Sequence, residues 1–267
     1  MTRNSILLKN FNAIISANEK GLIKENKSYL YLEDEIIKSY DYNPSQIEID
    51  CKGKMITPGF VDPHTHPVFL STRHDEFLMR MKGISYEQIA INGGGIVSTV
   101  DSVNKSSKEK IIDNLMLKMD EFIRFGTTTI EAKSGYGLSV ESELKSLYCL
   151  NSVNKDHAID IIPTFMGAHA FPKKYQDNQN KYVEIICNEM IPKVVDQGIA
   201  IFNDVFCEKG YFDIDQTRKI IECGKSLGLK PRLHVDEFED IGGIELAIEA
   251  GAVTVDHLMA STSRSID

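Results

Sequence analysis

The chain has 267 residues, of which 42% are hydrophobic and 26% are charged, and this composition excludes global disorder and predicts a globular protein with a sizeable core. The formal net charge of -9 argues against a nucleic-acid or anionic-membrane partner, because either surface would be repelled at long range. An anionic small-molecule substrate would then need a local cation.

The N-terminus and the cysteines indicate a cytoplasmic protein. Residues 1–16 hold a short apolar stretch interrupted by Lys9, Asn10 and Asn12, and no signal-peptide cleavage site follows. No run reaches the roughly 18 apolar residues that a membrane span needs. The five cysteines form no Cys-x-x-Cys pair, which favours structural thiols in a reducing compartment.

The first predicted elements are short strands. Residues 5–16 and 28–37 are rich in β-branched and aromatic side chains, and the polar, glycine-containing segment NEKGLIKEN separates them. This pattern fits hairpin strands. We therefore expect a small β-sandwich domain over residues 1–57, ending near Pro58.

After that point, short apolar runs alternate with segments of helical period, as in βαβ units. The candidate strands are Gly59–Pro63, Thr127–Ala132, Ile159–Phe165, Ile201–Phe206, Arg232–Val235 and Val253–Val255. The candidate helices are Ser107–Phe125, Glu141–Asn151, Tyr182–Gln197, Gln216–Leu227 and Gly243–Ala250. The long stretch 67–105, which contains Gly93-Gly94-Gly95, is predicted as an extended loop that closes over a site.

This order predicts an α/β fold, an incomplete (β/α)₈ TIM barrel over residues 58–267 with about six of its eight strands. Two strand–helix units would be missing. We expect the sequence to be part of a longer gene product, or else a second chain to complete the barrel.

Histidines supply the strongest chemical signal. His64 and His66 end the first candidate strand with one residue between them, so both imidazoles point to one face and can reach one metal ion. His234 ends the fifth candidate strand and His257 follows the sixth. The carboxyl ends of barrel strands share one mouth, so these side chains should converge there.

The motifs around these histidines resemble a known family. They are Gly59-Phe60-Val61-Asp62-Pro63-His64-Thr65-His66, Gly93-Gly94-Gly95-Ile96, Glu131-Ala132-Lys133-Ser134-Gly135-Tyr136-Gly137-Leu138, Gly167-Ala168-His169-Ala170, Asp204-Val205-Phe206-Cys207-Glu208, His234-Val235-Asp236-Glu237 and Asp256-His257-Leu258. The first motif is similar to that of the whole amidohydrolase superfamily. Together, over residues 55–261, they resemble the imidazolonepropionase family.

The resemblance implies a metal centre with one divalent ion, zinc or iron (Zn²⁺ or Fe²⁺/Fe³⁺). Its ligands would be His64, His66 and His234. His257 would lie beside the metal and orient the attacked carbonyl or the hydroxide, and Glu237 would exchange protons with the ring nitrogen. Such exchange suits the reaction, because breaking a cyclic amide C–N bond at neutral pH needs a protonated leaving nitrogen.

The resemblance also implies substrate contacts. Arg73 and Tyr86 would bind a propionate, since an Arg fork grips a carboxylate with two hydrogen bonds. Tyr136 and His169 would contact the imidazolone ring. The substrate would therefore be a small anionic molecule, with no nucleic-acid or membrane partner, and the chain could form a homodimer.

The activity implied is hydrolysis of 4-imidazolone-5-propionate to N-formimidoyl-L-glutamate in histidine degradation, by a metal-activated water. The family completes its metal site with an aspartate after the eighth strand, and no residue of this sequence matches it. We expect Lys133 to be structural or substrate-facing rather than a carbamylated bridge between two metals.

Two alternatives remain. A nucleobase or ring deaminase uses similar histidines and a His-x-x-Glu on strand five, but does not require Arg73 as a carboxylate clamp. The chain could also be an inactive fragment or a scaffold that has lost the metal. Ammonia release from cytosine or guanine would support the first alternative, and metal analysis would separate the second.

Overall fold

The structure is a computed structural model that describes residues 4–85, 88–89 and 94–266. The chain divides into two compact units, Met1–Phe60 and Val61–Asp267. The assignment of residues 1–57 and 58–267 to two domains stays a prediction. Within the described ranges, no helix combines the length and the apolar character needed to cross a bilayer.

The first unit contains two small sheets. Its strands are β1 (Ser5–Lys9), β2 (Ala13–Asn18), β3 (Gly21–Glu25), β4 (Tyr29–Glu33), β5 (Ile36–Ser39), β6 (Ile47–Asp50) and β7 (Met55–Ile56). One sheet has the order β5-β4-β1-β6 and the other the order β3-β2-β7. Leu7, Ala13 and Leu30 are buried, and in β1 the buried Ser5 and Leu7 flank the partly exposed Ile6, as expected of a strand with one covered face.

The hairpins of this unit differ from the prediction. The segment NEKGLIKEN is not a separator, because β3 lies within it and pairs antiparallel with β2 around a two-residue turn. The run 28–37 likewise contains a turn, at Asp34 and Glu35, whose φ angles are +50° and +67°. Two positive φ angles fit the tight turn between paired strands, but neither residue pair carries the glycine that usually marks it.

The second unit is built around a six-stranded sheet. Its strands are β8 (Phe60–Thr65), β9 (Thr127–Lys133), β10 (Asp160–Ala168), β11 (Phe202–Cys207), β12 (Lys230–Val235) and β13 (Thr254–His257). Their order follows the chain from β8 to β13, and the four pairings from β9 to β13 are parallel. All six predicted strands are therefore confirmed, as an incomplete TIM barrel.

Helices alternate with these strands. They are α1 (His74–Met81), α2 (Ile96–Lys105), α3 (Lys108–Arg124), α4 (Val140–Asp156), α5 (Gln179–Ile185), α6 (Ile191–Gln197), α7 (Ile214–Ser226), α8 (Gly243–Ala250) and α9 (Ser263–Ile266). Several of these helices have a side-chain cap at the N-terminus. Ser107 accepts a hydrogen bond from the backbone N–H of Lys110, and Asp213 forms a reciprocal capping box with Gln216.

Two helix predictions need correction. The stretch 67–105 is not one extended loop, because α1 and α2 lie in it. The glycines of this stretch and the β-branched residues of α2 have low helix propensity, which favoured the loop interpretation. The predicted helix Tyr182–Gln197 is interrupted by one π turn at Ile186–Met190, between α5 and α6. Gly93 lies outside the described residues.

Candidate metal centre

Three histidines converge at the carboxyl ends of β8 and β12. His64 lies in β8, His66 follows that strand, and His234 lies in β12. The Nε2 atom of His66 lies 3.2 Å from Nε2 of His64 and 3.2 Å from Nε2 of His234. The structure thus brings together the three predicted ligands, although 168 residues separate His66 from His234.

Two carboxylates orient two of these rings from behind. Nδ1 of His64 lies 3.0 Å from Oδ2 of Asp256, and Nδ1 of His234 lies 2.9 Å from Oδ1 of Asp204. A ring that donates its Nδ1–H to a carboxylate keeps the lone pair on Nε2, which is the arrangement of metal-binding histidines. Burial lowers the pKa of His234 to about 4, so its ring is neutral at pH 7.

The cluster fits a divalent cation. A tetrahedral ion with metal–nitrogen bonds of about 2.0 Å separates its nitrogen ligands by roughly 3.3 Å. Without a cation, the three Nε2 atoms would face each other, although those of His64 and His234 both carry a lone pair. Burial and the neighbouring His169 and His234 rings hold the pKa of His66 well below its ordinary value.

Other ligand combinations also exist around His234. Within the described part of the chain, ligand atoms of His64, His234 and His257 lie within 4.8 Å of one another, as do those of Asp204, His234 and Asp256. The set with the two aspartates is less available to a cation, because both carboxylates already pair with ring nitrogens. The imidazole set therefore suits a borderline ion such as zinc or iron better.

Glu237 and His257 lie beside this cluster. Oε2 of Glu237 is 3.6 Å from Nε2 of His257, and the His257 ring lies 5.2 Å from the His64 ring. Burial raises the pKa of Glu237, and the Glu208 charge acts in the same direction against His257. A carboxyl group with a raised pKa beside an imidazole can exchange a proton near neutral pH.

The backbone of Glu237 is fixed by a second carboxylate. Oε2 of the buried Glu208 accepts hydrogen bonds from the backbone N–H groups of Glu237 and Phe238, at 2.9 and 3.0 Å. Glu208 follows β11, and the two residues it holds follow β12. A buried carboxylate therefore sets the direction in which the loop presents Glu237.

His169 and Tyr136 form an aromatic wall next to His66. The His169 ring stacks on His66 with centroids 4.8 Å apart, and the Tyr136 ring lies 5.2 Å from His169. Nδ1 of His169 lies 2.9 Å from the carbonyl oxygen of Gly135, so this nitrogen donates and Nε2 is left as an acceptor. Burial lowers the pKa of His169 to about 3, which keeps the ring neutral.

Arg73 is not brought to the histidines by a polar contact. It lies just before α1 and its Nη1 atom is 3.8 Å from Oε2 of Glu76, whose other oxygen accepts from the backbone N–H of Gly95. Among the residues described, no hydrogen bond or ion pair joins Arg73 to His64, His66 or His234. Tyr86 lies outside the described residues.

Apart from Lys133, the sequence interpretation gave no role to the charged residues beneath the histidines. The ion network comprises the buried residues Glu131, Lys133, Asp204 and Arg232 and the partly buried Asp256. Their signal was present, because Asp204, Arg232 and Asp256 stand inside otherwise apolar strand runs, where a charge needs a partner. Lys133 was expected to be structural or substrate-facing. Its amine contacts carboxylates of the protein, and a contact with the substrate stays a prediction.

Curated relatives match most of the chain. It is 47% identical over 218 residues to an imidazolonepropionase of Alkaliphilus metalliredigens, covering 82% of this chain and 52% of the relative. It is 43% identical over 262 residues to an imidazolonepropionase of Clostridium tetani, covering 97% of this chain and 61% of the relative. The chain therefore spans about half the length of the curated relatives it matches. No protein-family model matches it.

Solved structures show the same fold at low identity. Aspergillus niger ochratoxinase matches with a TM-score of 0.62 and 14% identity, over 98% of this chain and 62% of its own. An amidohydrolase from a Sargasso Sea environmental sample matches with a TM-score of 0.60 and 13% identity, over 98% and 60%. These likenesses show the barrel fold alone and nothing about the substrate.

Proposed function

The chain belongs to the imidazolonepropionase family of amidohydrolases, and from this premise we propose that it carries the site that hydrolyses 4-imidazolone-5-propionate to N-formimidoyl-L-glutamate. The reaction breaks a C–N bond of a cyclic amide and belongs to histidine degradation. The observation that carries the proposal is that Nε2 of His66 lies 3.2 Å from Nε2 of His64 and 3.2 Å from Nε2 of His234.

A divalent metal is implied by the family, and these three histidines would hold it. We propose zinc or iron, one ion per chain, because both accept imidazole ligands readily. When bound, such an ion lowers the pKa of a water molecule and polarises a carbonyl group. The protein itself supplies the orientation, through Asp256 behind His64 and Asp204 behind His234.

Glu237 and His257 are proposed as the proton-handling pair. Ring opening leaves a nitrogen that must be protonated, and the raised pKa of Glu237 makes its carboxyl group a suitable donor. His257 lies 3.6 Å from that carboxyl group and can receive or return its proton, or donate to the carbonyl oxygen of the substrate. Glu208 keeps the Glu237 backbone in place during the exchange.

The substrate would be bound from the other side of the cluster. His169 offers its Nε2 lone pair to a ring N–H, and Tyr136 lies against the same ring surface. Arg73 and Tyr86 are proposed to bind the propionate. Arg73 now pairs loosely with Glu76 at 3.8 Å, so a substrate carboxylate with shorter, paired hydrogen bonds would compete well for its guanidinium.

The remaining expectations belong to the same proposal. A small anionic molecule is the partner proposed, with neither nucleic acid nor membrane, and the net charge of -9 supports that choice. The cytoplasm is the proposed location, supported by the five cysteines, all of which are free thiols. A homodimer stays a prediction.

Loss of the imidazolone ultraviolet absorbance tests the proposal. The metal-loaded chain should consume 4-imidazolone-5-propionate and release N-formimidoyl-L-glutamate, and the His66→Ala variant should not. Stable absorbance in the presence of a chain that has bound one equivalent of metal would contradict it. Ammonia release from cytosine or guanine instead would favour a ring deaminase.

A further inference from the structure

A buried lysine lies beneath the clustered histidines. Nζ of Lys133 is 2.8 Å from Oδ2 of Asp204, 2.9 Å from Oε1 of Glu131 and 3.7 Å from Oδ2 of Asp256. None of its side chain is exposed. Burial opposes its charge, but Asp204 and Glu131 outweigh burial and raise the pKa of the amine. Lys133 is therefore an ammonium ion whose whole environment is protein.

Both nearby aspartates also contact a histidine. Asp204 presents Oδ2 to Lys133 and Oδ1 to Nδ1 of His234. Asp256 presents Oδ2 both to Lys133 and to Nδ1 of His64. One ammonium ion is thus linked through two carboxylates to two rings, which lie on different strands.

Strand register explains how one side chain serves both rings. His234 in β12 pairs with Asp256 in β13, and Lys133 ends β9. The side chain of Lys133 reaches across the barrel interior to Asp204 of β11 and Asp256 of β13. A shorter or neutral side chain could not bridge them, and two carboxylates would then repel each other in a dry interior.

We propose that Lys133 is a positioning residue of the metal centre: by holding Asp204 and Asp256, it fixes the His234 and His64 rings with Nδ1 protonated and Nε2 directed at their common point with His66. The proposal rests on the proposed function only in identifying that point as the metal site. Lys133 acts through the aspartates and does not itself contact the rings that bind.

Arg232 provides an internal contrast. Its Nη2 atom lies 3.3 Å from Oδ2 of Asp256 and donates to the carbonyl oxygen of Pro63 at 2.8 Å. Within the ranges that the structure describes, it forms ion pairs with Asp256 and Glu131 and none with Asp204. Replacing Arg232 should therefore disturb His64 alone, whereas replacing Lys133 should disturb both rings.

The test is a long-range ¹H–¹⁵N spectrum of the metal-free, ¹⁵N-histidine-labelled chain, assigned with single histidine variants. The wild-type chain should show His64 and His234 as Nδ1-protonated tautomers. Lys133→Met should move both rings out of that state, and Arg232→Met only His64. The control is Lys145→Met, which removes an amine bound to the carbonyl oxygens of Val103 and Ser106 and should change neither.

Metal binding gives the second readout. Titration with Co²⁺, followed by its visible absorption, should show affinity at least about tenfold weaker in Lys133→Met than in the wild-type chain or in Lys145→Met. A wild-type chain that binds no Co²⁺ would overturn the proposed metal centre. Binding that is equal in wild-type and Lys133→Met, with unchanged tautomers, would overturn the role of Lys133 alone.

A variant of similar shape covers the case in which Lys133→Met does not fold. Asp204→Asn keeps the size of the side chain and the Lys133–Glu131 pair, but removes the charge that links Lys133 to His234. An amide oxygen accepts from the Nδ1–H group more weakly than a carboxylate does, so the Nδ1-protonated fraction of His234 should fall while that of His64 stays unchanged. If both rings stay as in the wild-type chain, the proposal is wrong.

Discussion

Glu237 combines two properties that its sequence position alone does not provide. Burial and the nearby Glu208 charge raise its pKa, while two backbone hydrogen bonds to Glu208 fix its loop. A carboxyl group with these properties can protonate a leaving nitrogen at a pH where an exposed glutamate is ionised. The neighbouring Glu239 is exposed and pairs with Lys209, and Glu208 does not hold its backbone.

Glu237→Gln should therefore lower kcat by about 10²-fold or more, because the amide cannot donate a proton in its place. KM and metal content should change little. Glu239→Gln is the matched control and should behave as the wild-type chain. Steady-state kinetics on 4-imidazolone-5-propionate make the comparison, and an unaffected kcat in Glu237→Gln removes that residue from proton transfer.

Arg73 is proposed to act in binding rather than in chemistry. Arg73→Ala should raise KM about tenfold or more, since a charge-assisted pair of hydrogen bonds to the propionate is lost, and leave the metal content unchanged. Arg80→Ala, which replaces an exposed arginine in the following helix α1, is the control. Unchanged KM in Arg73→Ala would show that another cation binds the carboxylate.

His169 makes a prediction about pH. Burial lowers its pKa to about 3 in the folded chain, against about 6.5 when unfolded. Below pH 6.5 the unfolded chain binds a proton that the folded chain does not, so stability falls by up to about 1.4 kcal/mol per pH unit as pH drops towards 3. The loss is absent above pH 6.5.

Urea unfolding of the metal-free chain between pH 7 and pH 4.5 measures this dependence. In His169→Asn, the free energy of unfolding should fall less steeply as the pH drops, and the difference should equal the contribution of one buried histidine. His74→Asn, which replaces an exposed ring, is the control and should keep the wild-type slope. Equal slopes in the wild-type chain and in His169→Asn would mean that the ring is protonated in the folded chain.

At the scale of elements, the loop after β9 shows how a helix fixes a site residue. Glu143 of helix α4 is fully buried and accepts hydrogen bonds from the backbone N–H groups of Gly135, Gly137 and Leu138, at 3.0, 2.8 and 2.8 Å. Tyr136 lies between these donors. The loop has no room to move inward, because a Cβ at Gly137 would lie 2.6 Å from the backbone of α4.

Glu143→Ala should consequently lower the free energy of unfolding by about 3 kcal/mol or more, because three buried donors lose their acceptor. It should also weaken substrate binding through Tyr136. Glu141→Ala, on the exposed side of the same helix, should cost under about 0.5 kcal/mol. Urea denaturation measures both, and similar values for the two variants would contradict this account of the loop.

The strands and helices of the fold differ in how far the sequence predicts them. The six barrel strands were predictable because each is a short apolar run between helical segments, and α3 because Ser107 marks its start. Helix α1 was not, because it has only eight residues, it follows directly on a polar loop, and none of its side chains is buried. The β2–β3 turn was missed because Glu19 and Lys20 are not the usual turn residues.

The site shows a similar division. His64 and His66 were predictable because side chains two residues apart at the end of a strand point to the same face. The support given by Lys133 to Asp204 and Asp256 was not, because the contact depends on strand order and on the reach of one long side chain. Likewise, the Glu76 partner of Arg73 follows from helix α1, which the sequence pattern did not reveal.

At the scale of the whole chain, residues far apart in sequence meet at one point of a parallel sheet. His66 follows the first barrel strand and His234 lies in the fifth, yet their Nε2 atoms are 3.2 Å apart. Carboxylates of β11 and β13 orient the rings from below. The fold therefore accounts for the candidate metal centre, and every function proposed above depends on that centre being occupied by one cation.

Anomalous diffraction from crystals of the metal-loaded chain, collected at the zinc and iron absorption edges, tests this most directly. The account predicts one peak per chain, at bonding distances of about 2.0 to 2.2 Å from Nε2 of His64, His66 and His234. The edge at which the peak appears identifies the metal. A chain with no peak, or with a peak that these three nitrogen atoms do not share, would contradict the account.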